Sequence, residues 1–128
     1  MNLYSYPGMA VISRSKLSGL GEHWGVLLPN YQVAHCTQER NAHVVSLDEF
    51  ARGLQIKLIR EIPWSEQWGV NWRLQSELAA SKPYNLVHYN CEIFANTVAG
   101  FNPESPQVNG LAILGFVLFA ARLLRSNS

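Results

Sequence analysis

One arrangement in this chain could do covalent chemistry: a thiol directly after an asparagine, in Tyr89-Asn90-Cys91-Glu92-Ile93-Phe94. Asparagine is a good N-cap, its side-chain oxygen accepting from a backbone N–H two or three residues on, so a helix is predicted to open at Cys91 and to close at Gly100. Helical spacing puts Cys91, Ala95 and Val98 on one stripe and Glu92 and Asn96 on another, which turns the sulfur toward whatever the helix packs against. Unpaired N–H groups and the positive end of the helix dipole favour a thiolate there. The expected thiol pKa therefore lies below the free value of about 8.5, and Cys91 becomes a candidate nucleophile. The plain alternative is a small buried hydrophobe.

A nucleophilic cysteine needs a base within hydrogen-bond reach and a third group to orient that base. Four histidines are available: His23, His35, His43 and His88. His88 precedes Cys91 by three residues and is the local rival for the base. His43 falls in or beside a loop. His23 and His35 lie in two runs that read as a hairpin, Glu22 to Leu28 and Tyr31 to Cys36, joined at Pro29-Asn30. A two-residue loop would put the two imidazoles on opposite faces. A three-residue loop, Pro29 to Tyr31, instead opposes Gly25 to His35 and makes His23 and His35 diagonal neighbours on one face, roughly 7–8 Å apart at Cα. The three-residue loop is expected, because glycine within a strand marks close approach by another group, and Gly25 would leave room between the rings.

The elements that must hold these residues follow from the rest of the chain. Met9 to Ile12 reads as a buried first strand, His43 to Val45 as a short strand, Ser46 to Gly53 as a capped helical turn or two, and Gln55 to Arg60 as a strand stopped by Pro63. Trp64, Trp68 and Trp72 stand at helical spacing and are expected in the core or a groove wall. Because Gly69 interrupts them, the helix is placed from about Asn71 to Ser81. At 128 residues the chain is large enough for one core without staples. Ten Lys+Arg against nine Asp+Glu, with no basic run, exclude an electrostatic case for nucleic acid. Two cysteines in different surroundings make no disulfide framework, and Met1 to Tyr6 lacks the basic and apolar regions of a signal peptide, so a reducing cytosol is the expected compartment.

Glu22-His23-Trp24-Gly25-Val26, the later His35, and Asn90-Cys91-Glu92-Ile93-Phe94-Ala95 resemble the H-W-x-V-Y and N-C-E-H-F motifs of the LRAT-like branch (lecithin:retinol acyltransferase and phospholipase/acyltransferase) of the NlpC/P60 superfamily. The likeness extends to Ser105-Pro106-Gln107-Val108 and covers roughly residues 7 to 108. It implies an α+β, permuted papain-like fold, in which an antiparallel sheet carrying the histidines packs against a helix carrying the cysteine. It also implies Cys91 as nucleophile, His23 as base and His35 as third member, with no cofactor or metal. The implied substrate is an acyl-bearing small molecule or lipid. One departure is Ile93, which stands in the place of the histidine of N-C-E-H-F and puts the substrate class in doubt.

The expected reaction is attack of the Cys91 thiolate on an ester, thioester or amide, followed by hydrolysis or acyl transfer, with the Cys91 backbone N–H as an oxyanion donor. Two other classes stay open: a catalytically silent interaction module of the same fold, and a zinc site built from His23, His35 and Cys91, with or without His88. Beyond a domain spanning 1–108, residues 109–128 form an apolar segment in which Leu111 to Ala121 carries no charge. Eleven helical residues cover about 16 Å, too little to span a bilayer. The segment is expected to be a helix that packs on the domain, joins a homodimer or lies peripherally in a membrane surface.

Overall fold

In the computed structural model residues 3–86 and 89–102 are described; His88, the end of the domain at 108 and the apolar segment after it lie outside them. The chain is α+β. Five antiparallel strands, β1 (Ala10–Ser15), β2 (Glu22–Leu28), β3 (Gln32–Thr37), β4 (Asn41–Ser46) and β5 (Ile56–Glu61), form one sheet in the order β4-β3-β2-β1-β5. Three helices complete it: α1 (Leu47–Ala51), α2 (Gln67–Ala80) and α3 (Cys91–Ala99).

The hairpin has the three-residue loop. Pro29–Tyr31 make a short 3-10 turn in which Asn30 and Tyr31 adopt positive φ, and the register pairs Gly25 with His35. Strand alternation then gives the sheet two different faces. One carries Val11, Val26, Ala34 and Cys36 and is covered by α3 and α2, through Phe94, Ala95, Val98, Val70 and Leu74. The other carries Ala10, Ile12, Leu27 and Val33 and is covered by Leu47 and Phe50 of α1.

α3 begins and ends where its cap residues place it. Asn90 Oδ1 accepts from the Ile93 N–H at 3.0 Å, and Gly100 closes the helix at φ 88°. Glu92, on a different stripe from Cys91, is buried as well. α2 begins four residues before the expected start at Asn71 and runs through Gly69, which was expected to interrupt it. There a Cβ would stand 2.7 Å from the Arg73 guanidinium, whose Nε donates to the Val98 carbonyl and ties α2 to α3. Trp64, Trp68 and Trp72 are not core: they are 83%, 81% and 71% exposed. The apolar face of α2 is supplied by Val70 and Leu74, so the tryptophan stripe points outward.

Candidate active site

Three strands bring three imidazoles into one line. His35 and His43 are directly opposite across β3 and β4, and His23 is the diagonal neighbour of His35 across β2. His23 Nε2 lies 2.8 Å from His35 Nδ1, and His35 Nε2 lies 3.0 Å from His43 Nε2. At the outer end His43 Nδ1 is 2.8 Å from the Asn41 carbonyl oxygen. At the inner end His23 Nδ1 is buried and has no hydrogen-bond partner.

The glycine argued to leave room between the rings does something slightly different. A Cβ at Gly25 would come within 2.9 Å of the Phe50 ring and 2.7 Å of Val33 Cγ1. Gly25 therefore makes room for Phe50, whose ring stacks on His23 at 5.4 Å and meets His35 edge-on at 5.6 Å. Phe50 is held in turn by Arg14, whose Nε donates to its carbonyl at 2.6 Å. Ser46 caps α1 by accepting from the Glu49 N–H, which fixes the turn that delivers Phe50.

The histidines share the face of Leu27, Val33 and Phe50, whereas Cys91 comes to the β2 backbone from the α3 side, at a break in the sheet. The β2–β3 ladder stops at the Gly25–His35 pair, although β2 runs on to Glu22 with β1 on its other side and β3 runs on to Thr37 with β4. The Gly21 carbonyl accepts from the Lys16 N–H just past the end of β1, so the next carbonyl, Glu22, points the other way, into the fork between β2 and β3. Cys91 Sγ sits 3.9 Å from that Glu22 oxygen, and the Trp24 backbone N–H also bonds the sulfur. The thiol is thus flanked by the backbone on both sides of His23.

Burial dominates the electrostatics. Cys91 is 2% exposed, and desolvation pushes its thiol up despite the opposing pull of the Lys16 ammonium and the Trp24 N–H. The thiolate-favouring helix terminus expected from the sequence is outweighed, because removing a charge from water costs more than partial dipoles return. Burial likewise holds His23 well below the ordinary imidazole value, with the charges of His35 and Arg14 adding to it, and holds His35 at about 3. His43, half-buried, is lowered by the same cause. Around neutral pH the Cys91 thiol and the three imidazoles are therefore all neutral.

His23 and His35 are hydrogen-bonded to each other, and Cys91 abuts the backbone that carries His23. Cys36 points to the other face of the sheet from His35, among Ala34, Val26 and Phe94. The sequence reading missed four residues. Lys16, Arg14 and Phe50 carry no short motif. His43 was placed near a loop, the polar run Gln38 to Ala42; the hairpin turn is the shorter Gln38 to Arg40, which pairs Thr37 with Asn41 and sets His43 opposite His35. For the zinc reading, His23 and His35 spend ring nitrogens on each other. Among the described residues no group of three or more His, Cys, Asp or Glu side chains is placed to hold a metal. A cavity of about 760 Å³, lined by Leu3, Leu47, Asp48, Leu54, Ile56 and Lys57, touches neither Cys91 nor the three histidines. Among the described residues no helix is long and apolar enough to cross a membrane. No family model, curated protein or solved structure matches the chain.

Proposed function

We propose that the protein is a thiol acyl hydrolase or acyltransferase of permuted papain-like fold, with Cys91 as nucleophile, His23 as base and His35 as the residue that orients the base. The observation that carries this reading is the fork in the sheet. There the thiol of a helix N-terminus meets the backbone on both sides of His23, a buried imidazole whose remaining ring nitrogen has no partner. A structural core has no use for an unpartnered buried acceptor, which costs stability, whereas a base needs one.

In the reaction the thiol turns from the Glu22 carbonyl to His23 Nδ1, the S–H bond breaks and the proton passes to that nitrogen. Sulfur attacks the acyl carbon, and the carbonyl oxygen takes the negative charge. The Cys91 backbone N–H is the first oxyanion donor; the Asn90 cap is spent on Ile93 and does not compete for it. The bond to the leaving group then breaks, and that group departs with the proton held on His23. Water, or an alcohol or amine acceptor, gives up a proton to His23, attacks the thioester and releases Cys91. Throughout, Lys16 is the cation nearest in effect to the sulfur and stabilises its anionic form.

The likeness of the His23 and Cys91 motifs to the LRAT-like pattern supports an ester, thioester or amide substrate, a lipid among them, with the apolar segment after residue 108 as its membrane or dimer contact. The alternative, a silent module of the same fold, is favoured by the near-complete burial of Cys91. Exposure to a p-nitrophenyl acyl ester followed by intact-mass and peptide mapping separates the two. The enzyme gains one acyl group on Cys91; a protein that gains none, at any ester concentration that leaves it folded, is the silent module.

A further inference from the structure

The two ends of the imidazole line are not equivalent, and their difference sets a direction. The Asn41 backbone carbonyl can only accept a hydrogen bond, so the ring nitrogen 2.8 Å away, His43 Nδ1, must carry its proton. A neutral His43 then has a lone pair on Nε2, which obliges His35 Nε2, 3.0 Å away, to be the donor. His35 Nδ1 is left as acceptor, and His23 Nε2, 2.8 Å away, donates to it. The remaining nitrogen of the line, His23 Nδ1, is thereby a bare lone pair, buried and unpartnered, on the residue whose two flanking backbone groups face the Cys91 sulfur.

We infer that His43, resting on the Asn41 carbonyl, is a positioning residue that fixes the tautomers of His35 and His23 and so presents His23 Nδ1 as the base. This rests on the acyl-transfer reading and extends its triad by one residue. In a triad that stops at His35, either tautomer of that ring can bond His23: with Nδ1 protonated, His35 would donate to His23 Nε2 and force the proton onto His23 Nδ1. A base so oriented cannot take a thiol proton. Adding His43 and Asn41 removes the ambiguity, because a carbonyl has one role only.

The local backbone is built to aim that carbonyl. Asn41 adopts φ 58°, a left-handed conformation asparagine tolerates better than most residues, and its side-chain oxygen accepts from the Tyr84 N–H at 2.9 Å. Asn41 is thus held at both its side chain and its neighbour's ring. β4 is an edge strand and His43 is half-buried, so replacing the ring leaves the core clusters untouched.

The test is a long-range proton–nitrogen correlation spectrum of the histidine rings at pH 8, where all three are neutral. It assigns each tautomer in the wild-type protein without any substitution. The expected pattern is Nδ1–H on His43 and Nε2–H on both His35 and His23. In His43→Ala the order at His23 is lost, and acylation of Cys91 by a p-nitrophenyl ester slows about 10- to 100-fold, as for outer partners that orient a functional imidazole. His43→Gln, whose amide can donate to Asn41 and accept from His35, restores the His23 tautomer and most of the rate. Wild-type His23 protonated at Nδ1, or a His43→Ala protein with unchanged tautomers and rate, overturns the inference. A wild-type protein that shows the ordered tautomers but never acylates overturns the acyl-transfer reading instead.

Discussion

Cys36 and Cys91 are both buried thiols, and burial pushes both up, Cys36 to about 12. Their surroundings differ in kind. Cys36 lies on a strand whose ladder with β4 is intact, pairing with Ala42, and its sulfur is packed among apolar side chains. Its raised value has charged neighbours on the same side: a Cys91 thiolate and Glu77 both push it further up. Cys91 enters where a ladder is broken, against a carbonyl and an N–H and within the field of a buried lysine, and those two backbone groups flank a histidine with a ring nitrogen to spare. A cysteine's rest-state pKa therefore says little about its chemistry here. What separates the two, in the proposed reaction, is which polar groups would take the proton and hold the negative charge that follows.

The sharpest way to break that contrast is substitution. Cys91→Ala and His23→Ala should each abolish acyl-enzyme formation, a loss on the order of 10³-fold or more, and the double variant should be no worse than either, because the pair acts as a unit. His35→Ala should be milder, and His35→Gln, which can still accept from His23, milder again. Cys36→Ala should leave acylation unchanged while costing some stability. Rates of ester acylation on folded variants check all of these. A His23→Ala protein with wild-type acylation would dissolve the distinction between the two thiols.

Acid should reveal the imidazole line next. His35 is held at about 3 in the folded protein against about 6.5 when unfolded, and His23 is lowered in the same direction. Both are neutral in the native state, so below pH 6.5 the unfolded chain binds protons that the folded one does not. The stability present above pH 6.5 falls as pH drops toward 3, with His35 alone contributing a slope of up to about 1.4 kcal/mol per pH unit. Urea midpoints measured between pH 7 and 4 should follow this, and His35→Gln should flatten the slope.

Much of this arrangement was legible in the chain, for identifiable reasons. Asn90 and Gly100 bound α3 because capping is local chemistry, and the hairpin register followed from loop length and the face it implied for Gly25 and His35. The tryptophan stripe misled as to the core, although Trp64 does line the wall of two cavities, because spacing shows that residues share a face, not which way the face points. Val70 and Leu74, equally well spaced, took the core side of α2. The thiol's pKa misled for a related reason: a helix terminus is visible in sequence, but the burial that outweighs it is a property of the whole fold. His43, Phe50 and Lys16 were illegible because their roles come from neighbours distant along the chain.

Smaller effects test the packing around the line. Gly25→Ala forces Phe50 and Val33 to shift and should cost about 1–3 kcal/mol, with acylation slowed because the ring that backs His23 moves. Trp68→Ser, on the exposed stripe, should change stability by no more than about 0.5 kcal/mol and leave acylation as it was. Thermal denaturation of the two variants side by side measures the difference between a residue inside the site's support and one outside it.

The most direct measurement is brief iodoacetamide treatment of the folded protein at neutral pH, with peptide mapping of both cysteines over time. Cys91 should be carbamidomethylated at least about tenfold faster than Cys36, since its proton has a base to go to. In His23→Ala that preference should collapse. Labelling of Cys36 first, or slow and equal labelling of both thiols in the wild-type protein, would contradict the assignment of Cys91 and His23 as nucleophile and base.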